Sequence, residues 1–195
     1  MSKNYNQKLY RQLSLYINIL TTHYHGPADL MRRFDISRRM LQRDLKDLRD
    51  AGIIRLELNK KSNNYLLSKK DPAFDENATG RHKEHLIRLR RLAALIRDLD
   101  RTDMDELRRY ESALEERSWY IEYMTEDPEN FPEEDLDAPP QMPILADIKA
   151  SYYSLFPQSN ERMRQRDFKV LNALGFNIHY SHKYKAFIFE DPYES

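Results

Sequence analysis

Cysteine is missing altogether from the 195 residues, which excludes a disulfide framework, a thiolate zinc site and a cysteine nucleophile. Glycine is nearly as scarce. Four glycines are too few for Gly-rich phosphate loops and argue against an all-β fold. No Walker loop, Rossmann fingerprint or GxSxG elbow is present. Long apolar runs are lacking as well. The longest clean one, Leu92 to Ile96, is far below the ~20 residues of a membrane-spanning helix. No signal peptide is visible at the N-terminus, so no membrane partner and a cytoplasmic location are expected.

Net charge is zero, yet the charges are segregated. Residues 1–70 carry fifteen Lys and Arg against six Asp and Glu, whereas residues 103–147 carry three against fifteen. Residues 148–195 return to seven against five. Such a division suits a basic, polyanion-facing module and an acidic middle.

The most informative stretch is 37–52, SRRMLQRDLKDLRDAG. Met40, Leu41, Leu45 and Leu48 recur at helical spacing and predict a core-facing side. Arg38, Arg39, Gln42, Arg43, Lys46 and Arg49 fall on the other side. Ser37 is a good N-cap, and Gly52 tolerates the positive φ that ends many helices. A short helix with a basic, amide-bearing outer face suits a DNA major groove. The stretch also recurs: 160–175 reads NERMRQRDFKVLNALG, and a shift of 123 positions makes eight of sixteen residues identical. The shared residues include Arg43-Asp44 with Arg166-Asp167, Gln42 with Gln165 and Lys46 with Lys169. This repeat is the strongest organisational signal in the chain.

Taken in order, residues 4–22 predict a helix striped by Leu9, Leu13, Tyr16 and Leu20. Gly26-Pro27 breaks it, and a second helix follows over 27–34, with a tight turn at Asp35-Ile36. After the basic helix, Ile53–Leu58 and Tyr65–Leu67 flank a polar turn and predict a β-hairpin with Lys60 and Lys61 at its tip. Two amphipathic helices are expected over 82–100 and 103–124, either as a bridge or as a dimer seam. Arg91 in the first of them is expected to take no part in binding. Residues 125–143 are acidic and proline-rich and predict a loop; a DNA mimic is the bolder reading. A helix over 144–156, built on Ile144, Ile148, Tyr152 and Leu155, leads to the repeated helix and a second hairpin over 177–189. This second copy has no first helix of its own, leaving the middle helices to supply one.

Ala28-Asp-Leu followed by Ser37–Ile53, with its serine, Arg-Asp pair, spaced leucines and terminal Gly-Ile, resembles the N-terminal winged helix-turn-helix of DeoR-like and WYL-domain bacterial regulators. The likeness covers about residues 1–70; no WYL or sugar-phosphate-sensing domain follows. The resemblance implies a third helix that enters the major groove and a wing that contacts the backbone. Carried over, it points to Ser37, Arg38, Arg39, Gln42, Arg43 and Lys46, with Lys60 and Lys61 on the wing. The repeat adds Arg162, Arg164, Gln165, Arg166 and Lys169, either as DNA contacts or as part of a module turned to dimerisation.

The expected fold is mainly α with small β wings: tandem winged helix-turn-helix modules joined by a helical linker. Its expected divisions are a DNA-binding domain over 1–72, a helical linker or dimerisation region over 82–125, an acidic loop over 126–143 and a second winged-helix-like domain over 144–195. No catalytic constellation is visible. His23-x-His25, His82-x2-His85 and His179-x2-His182 have only loose metal-like spacing, so neither metal nor cofactor is expected. Trp119 and the thirteen tyrosines read as core and interface. The expected function is a nucleoid-associated, sequence-specific transcriptional regulator, a repressor, binding double-stranded DNA as a homodimer. The alternatives are a tandem winged-helix replication-initiation or chromosome-organisation protein, or a protein-interaction module. No small-molecule effector is legible.

Overall fold

The computed structural model describes residues 3–22, 26–68, 70–127, 129, 130, 136 and 138–193, and side chains from residue 7 onward. Part of the acidic stretch expected as a loop over 126–143 therefore lies outside the described residues. The chain is mainly helical, with two small antiparallel hairpins.

Chain breaks set the first three helices. α1 (Lys3–Thr21) buries Leu9, Leu13 and Tyr16, whereas Leu20, one turn further on, is exposed. α2 (Pro27–Phe34) starts on Pro27, whose fixed φ suits a first helical turn. It stops where Asp35 turns left-handed at φ 49°. α3 (Arg38–Asp50) is capped by Ser37, whose hydroxyl accepts the Met40 N–H at 3.3 Å. Beyond α3 the chain folds back so that Ala51 bridges Phe74. Gly52 makes this possible: its φ is +68°, and a Cβ there would sit 3.0 Å from the Phe74 nitrogen. β1 (Leu56–Asn59) and β2 (Asn64–Leu67) then pair antiparallel, with Leu56 opposite Leu67 and Asn59 opposite Asn64.

The second half follows a similar order. After α4 (Gly80–Asp98) and α5 (Met104–Glu126) come α6 (Ile148–Leu155), α7 (Glu161–Ala173), β3 (Asn177–Ser181) and β4 (Ala186–Glu190). β3 and β4 pair antiparallel, with Asn177 opposite Glu190 and Ser181 opposite Ala186. Two expectations fail locally. α6 begins at Ile148, where Asp147 accepts the Ala150 N–H at 2.9 Å, and Ile144 lies outside it and is 99 % exposed. Met40, expected on the core-facing side, lies in the first turn of α3 and is 40 % exposed.

α4 packs against α1 and α3 and also against α6 and α7. Its buried Leu86, Leu89, Leu92, Ala93, Leu95 and Ile96 cover a wide arc, and one continuous core runs from Leu9 to Phe189. Each fully buried leucine on it contributes about 1.5–3 kcal/mol. α4 thus meets α7 as α1 meets α3. Arg11 on α1 donates to Asp44 on α3 at 2.6 and 3.1 Å, and Arg91 on α4 donates to Asp167 on α7 at 2.9 Å. Asp44 and Asp167 occupy the same position in the repeat, and both are 1 % exposed. Arg91 is therefore a structural residue and no neutral surface position.

A polar cluster joins α1, α3 and α4. The Gln12 amide nitrogen donates to Asp44 at 3.0 Å and to Asp47 at 2.8 Å. That fixes the Gln12 oxygen as an acceptor, so His85 donates to it from Nε2 at 2.7 Å as a neutral imidazole. Burial first, and then the nearby Lys8 ammonium, push His85 down to about 4. The unfolded chain takes up this proton near pH 6.5, before the folded chain does. Stability is therefore complete above that pH and falls as pH drops towards 4. Urea unfolding is expected to show a loss of about 2 kcal/mol between about pH 7 and pH 5, with a flat profile for His85→Gln. An equal slope in both proteins would assign the effect to other groups.

Candidate nucleic-acid interface

The exposed arc of α3 is made by residues whose inward neighbours are fixed. Leu41 and Leu48 are fully buried, and Asp44 and Asp47 are tied to α1, which leaves Arg38, Arg39, Gln42, Arg43, Lys46 and Arg49 exposed. Arg38, Arg39 and Arg43 have no ion-pair partner among the described residues, so three guanidiniums face outward uncompensated. Lys46 differs, because it pairs with Asp50, which Arg49 also contacts at 3.1 Å. Burial would raise the Asp50 carboxyl, but the hydrogen bonds from Lys46 and Arg49 hold it below the usual carboxylate range. Any ligand contact from Lys46 must compete with that pair.

Ser37 is exposed at the head of the helix, and its capping role leaves the hydroxyl proton able to donate. The β1–β2 turn presents Lys60 and Lys61, both exposed and without ion pairs among the described residues. Its shape is set by the Asn59 side chain, whose Oδ1 accepts the Lys61 N–H at 2.9 Å, and by Asn63 at φ 52°. All eight residues expected of the first half are exposed, six on α3 and its cap and two on the β1–β2 turn.

The second half departs from its copy. Arg162, Arg166 and Lys169 are exposed on α7 and free of ion pairs among the described residues. Arg164 does not belong with them, because it is 4 % exposed. Its guanidinium donates to Glu161 and lies 4.9 Å from the Phe168 ring centre and 4.5 Å from that of Phe187. The matching residue of the first copy is Leu41, so the arginine fills a core position and covers its charge with a carboxylate and two aromatic faces. Gln165 is exposed, but its amide donates to Glu161 at 3.1 Å. Hydrogen bonds from Arg164 above all, then from Tyr153 and Gln165, bring the Glu161 carboxyl down to about 2. An anion therefore stands at the head of α7, where Arg38 stands in α3. The second hairpin is also engaged: Lys183 donates to Glu111 of α5 at 2.7 Å, and Tyr184 contacts the same carboxylate.

The Asp of each repeat was open to pairing with an arginine, but sequence reasoning did not single out Arg11 and Arg91, the partners that aim the two repeated helices. An arginine at a half-exposed position of α1 carries no pattern that separates it from a solvated one. Among the described residues, no group of three His, Asp or Glu side chains is placed to hold a metal ion, and no helix is long and apolar enough to cross a membrane. Comparison with protein families, with curated proteins and with solved structures finds no match to this chain.

Proposed function

We propose that the protein is a sequence-specific DNA-binding transcriptional regulator, a repressor, built from two winged helix-turn-helix units that share α4. The observation that carries this reading is the uncompensated triad of Arg38, Arg39 and Arg43 beside Gln42 on an exposed helix flanked by a lysine-tipped hairpin. Arginine reads guanine bidentately and glutamine reads adenine, while Lys60 and Lys61 suit phosphates. The mechanism is binding without catalysis. A homodimer would match a palindrome whose half-sites lie about 34–36 Å apart. α5 is the element suited to that contact, because Leu107 is its only buried residue and Trp119, Ile121 and Tyr123 are exposed.

A salt-titrated binding assay on the DNA upstream of its own reading frame, against scrambled DNA of equal length, tests the reading. Tighter binding upstream is expected, with affinity falling steeply with salt, the slope being about 0.9 per phosphate contacted. No binding at low salt would leave only a protein-interaction module. A replication initiator is the second reading, favoured by the unlike outer surfaces of α3 and α7, which suit two different ligands. It would bind direct repeats in preference to a palindrome.

A further inference from the structure

Each half leaves a groove between its repeated helix and its hairpin, and the two grooves differ in kind. The first measures about 180 Å³ and is floored by Leu45, Ile54 and Leu56. The second measures about 490 Å³ and is lined by Phe168, Phe187 and Tyr180. These rings brace one another edge-on: Phe168 meets Phe187 at 5.9 Å, Phe187 meets Tyr180 at 5.5 Å, and Tyr180 meets His182 at 5.3 Å. Arg164 supports the first two from within. Tyr180 is thereby held in place, yet 46 % of it is exposed, and no ring stacks parallel on it among the described residues.

The lining of the groove carries one cation without an ion pair among the described residues, Lys169. Arg162 and Arg166 stand exposed on the same helix, also without ion pairs among the described residues. Glu161 also lines the groove, but its charge is matched by Arg164 at 2.5 Å. A duplex keeps the faces of its bases stacked inside and offers none to a side chain along its length. An unpaired strand offers one at every nucleotide, spaced by phosphates.

We infer that this groove binds single-stranded nucleic acid, with a base stacked on Tyr180 and a flanking phosphate on Lys169. The site adds a second ligand to the chain and does not depend on duplex reading by α3.

Fluorescence anisotropy of the full chain tests it, using a labelled single strand of about 15 nucleotides and the duplex made from the same sequence. Tyr180→Ala is expected to weaken single-strand binding about tenfold, and Tyr180→Phe to stay within about twofold of the wild type. Both variants should bind duplex as the wild type does, while Arg39→Ala should show the reverse pattern. Lys169→Glu leaves the rings in place and is expected to lose about tenfold on the single strand. Tyr180-dependent binding of the strand would uphold the inference even if duplex binding failed. No single-strand binding at low salt, or wild-type affinity in Tyr180→Ala and Lys169→Glu, would overturn it.

Discussion

Asp44→Ala and Asp167→Ala are each expected to cost about 3–5 kcal/mol in urea unfolding, more than most surface changes combined. Both carboxylates are almost completely buried. Asp44 accepts from Arg11 twice and from Gln12 once; Asp167 accepts from Arg91 at 2.9 Å and from the Tyr152 hydroxyl at 2.8 Å. Truncation leaves a guanidinium that is only 24 % exposed for Arg11, or 20 % for Arg91, without its counter-charge. The penalty comes from that stranded cation more than from the lost attraction. Burial raises the Asp167 carboxyl, against the pull of Arg91 and Tyr152, so the site is held at a net cost and survives because its partners are complete. Burial also pushes the Tyr152 hydroxyl up to about 12, which keeps it a donor throughout the working range. Asp29→Ala is the control: Asp29 pairs with Arg32 at 2.8 Å, but 66 % of its side chain is exposed, and it should cost no more than about 1 kcal/mol. A loss as small as that from Asp44→Ala would show that the buried pair does not hold α3 in place.

These aspartates mark where sequence reading stopped. The helices α2 and α3, the turn at Asp35 and both hairpins follow from local rules, namely Pro27 at a first turn, Ser37 as a cap, Gly52 at a left-handed position and alternating strands, so they were legible. The middle helices are expected to serve the second half, but that α4 itself packs on both halves is marked only by the breadth of its apolar face. Leu86, Leu89, Leu92, Ala93, Leu95 and Ile96 cover too wide an arc for a helix with one neighbour, and such breadth marks a helix packed on two sides. The Arg-Asp dipeptide was visible in both repeats, but its partners lie 33 and 76 positions away on other helices. Nothing local distinguishes Arg11 or Arg91 from a solvated arginine. Arg164 shows the opposite failure. Alternating charges around it gave no sign that its stem and guanidinium would lie among Phe168, Phe187 and Glu161, because only the fold brings that hairpin against α7.

Arg39→Ala and Arg43→Ala should each weaken binding to the specific duplex by about 1–3 kcal/mol, roughly 5- to 150-fold, and together they should abolish discrimination against scrambled DNA. The two guanidiniums carry no competing ion pair among the described residues, so truncation removes a contact to DNA and disturbs nothing inside the protein. Lys60→Ala and Lys61→Ala should instead weaken specific and scrambled DNA alike and lower the salt slope by about one each, as expected for phosphate contacts. Arg109→Ala on α5 supplies the surface control, since Arg109 is exposed and its Nε donates only within its own helix, to the Asp105 carbonyl at 3.3 Å. Arg166→Ala, at the position in α7 that matches Arg43, is expected to leave the duplex almost untouched, because its neighbours differ: Glu161 stands where Arg38 stands in α3, and Gln165, the match of Gln42, is held by Glu161 at 3.1 Å. Equal losses from Arg43→Ala and Arg109→Ala in a fluorescence titration would remove α3 as the reading element. Equal losses from Arg43→Ala and Arg166→Ala would mean that both repeats read the duplex.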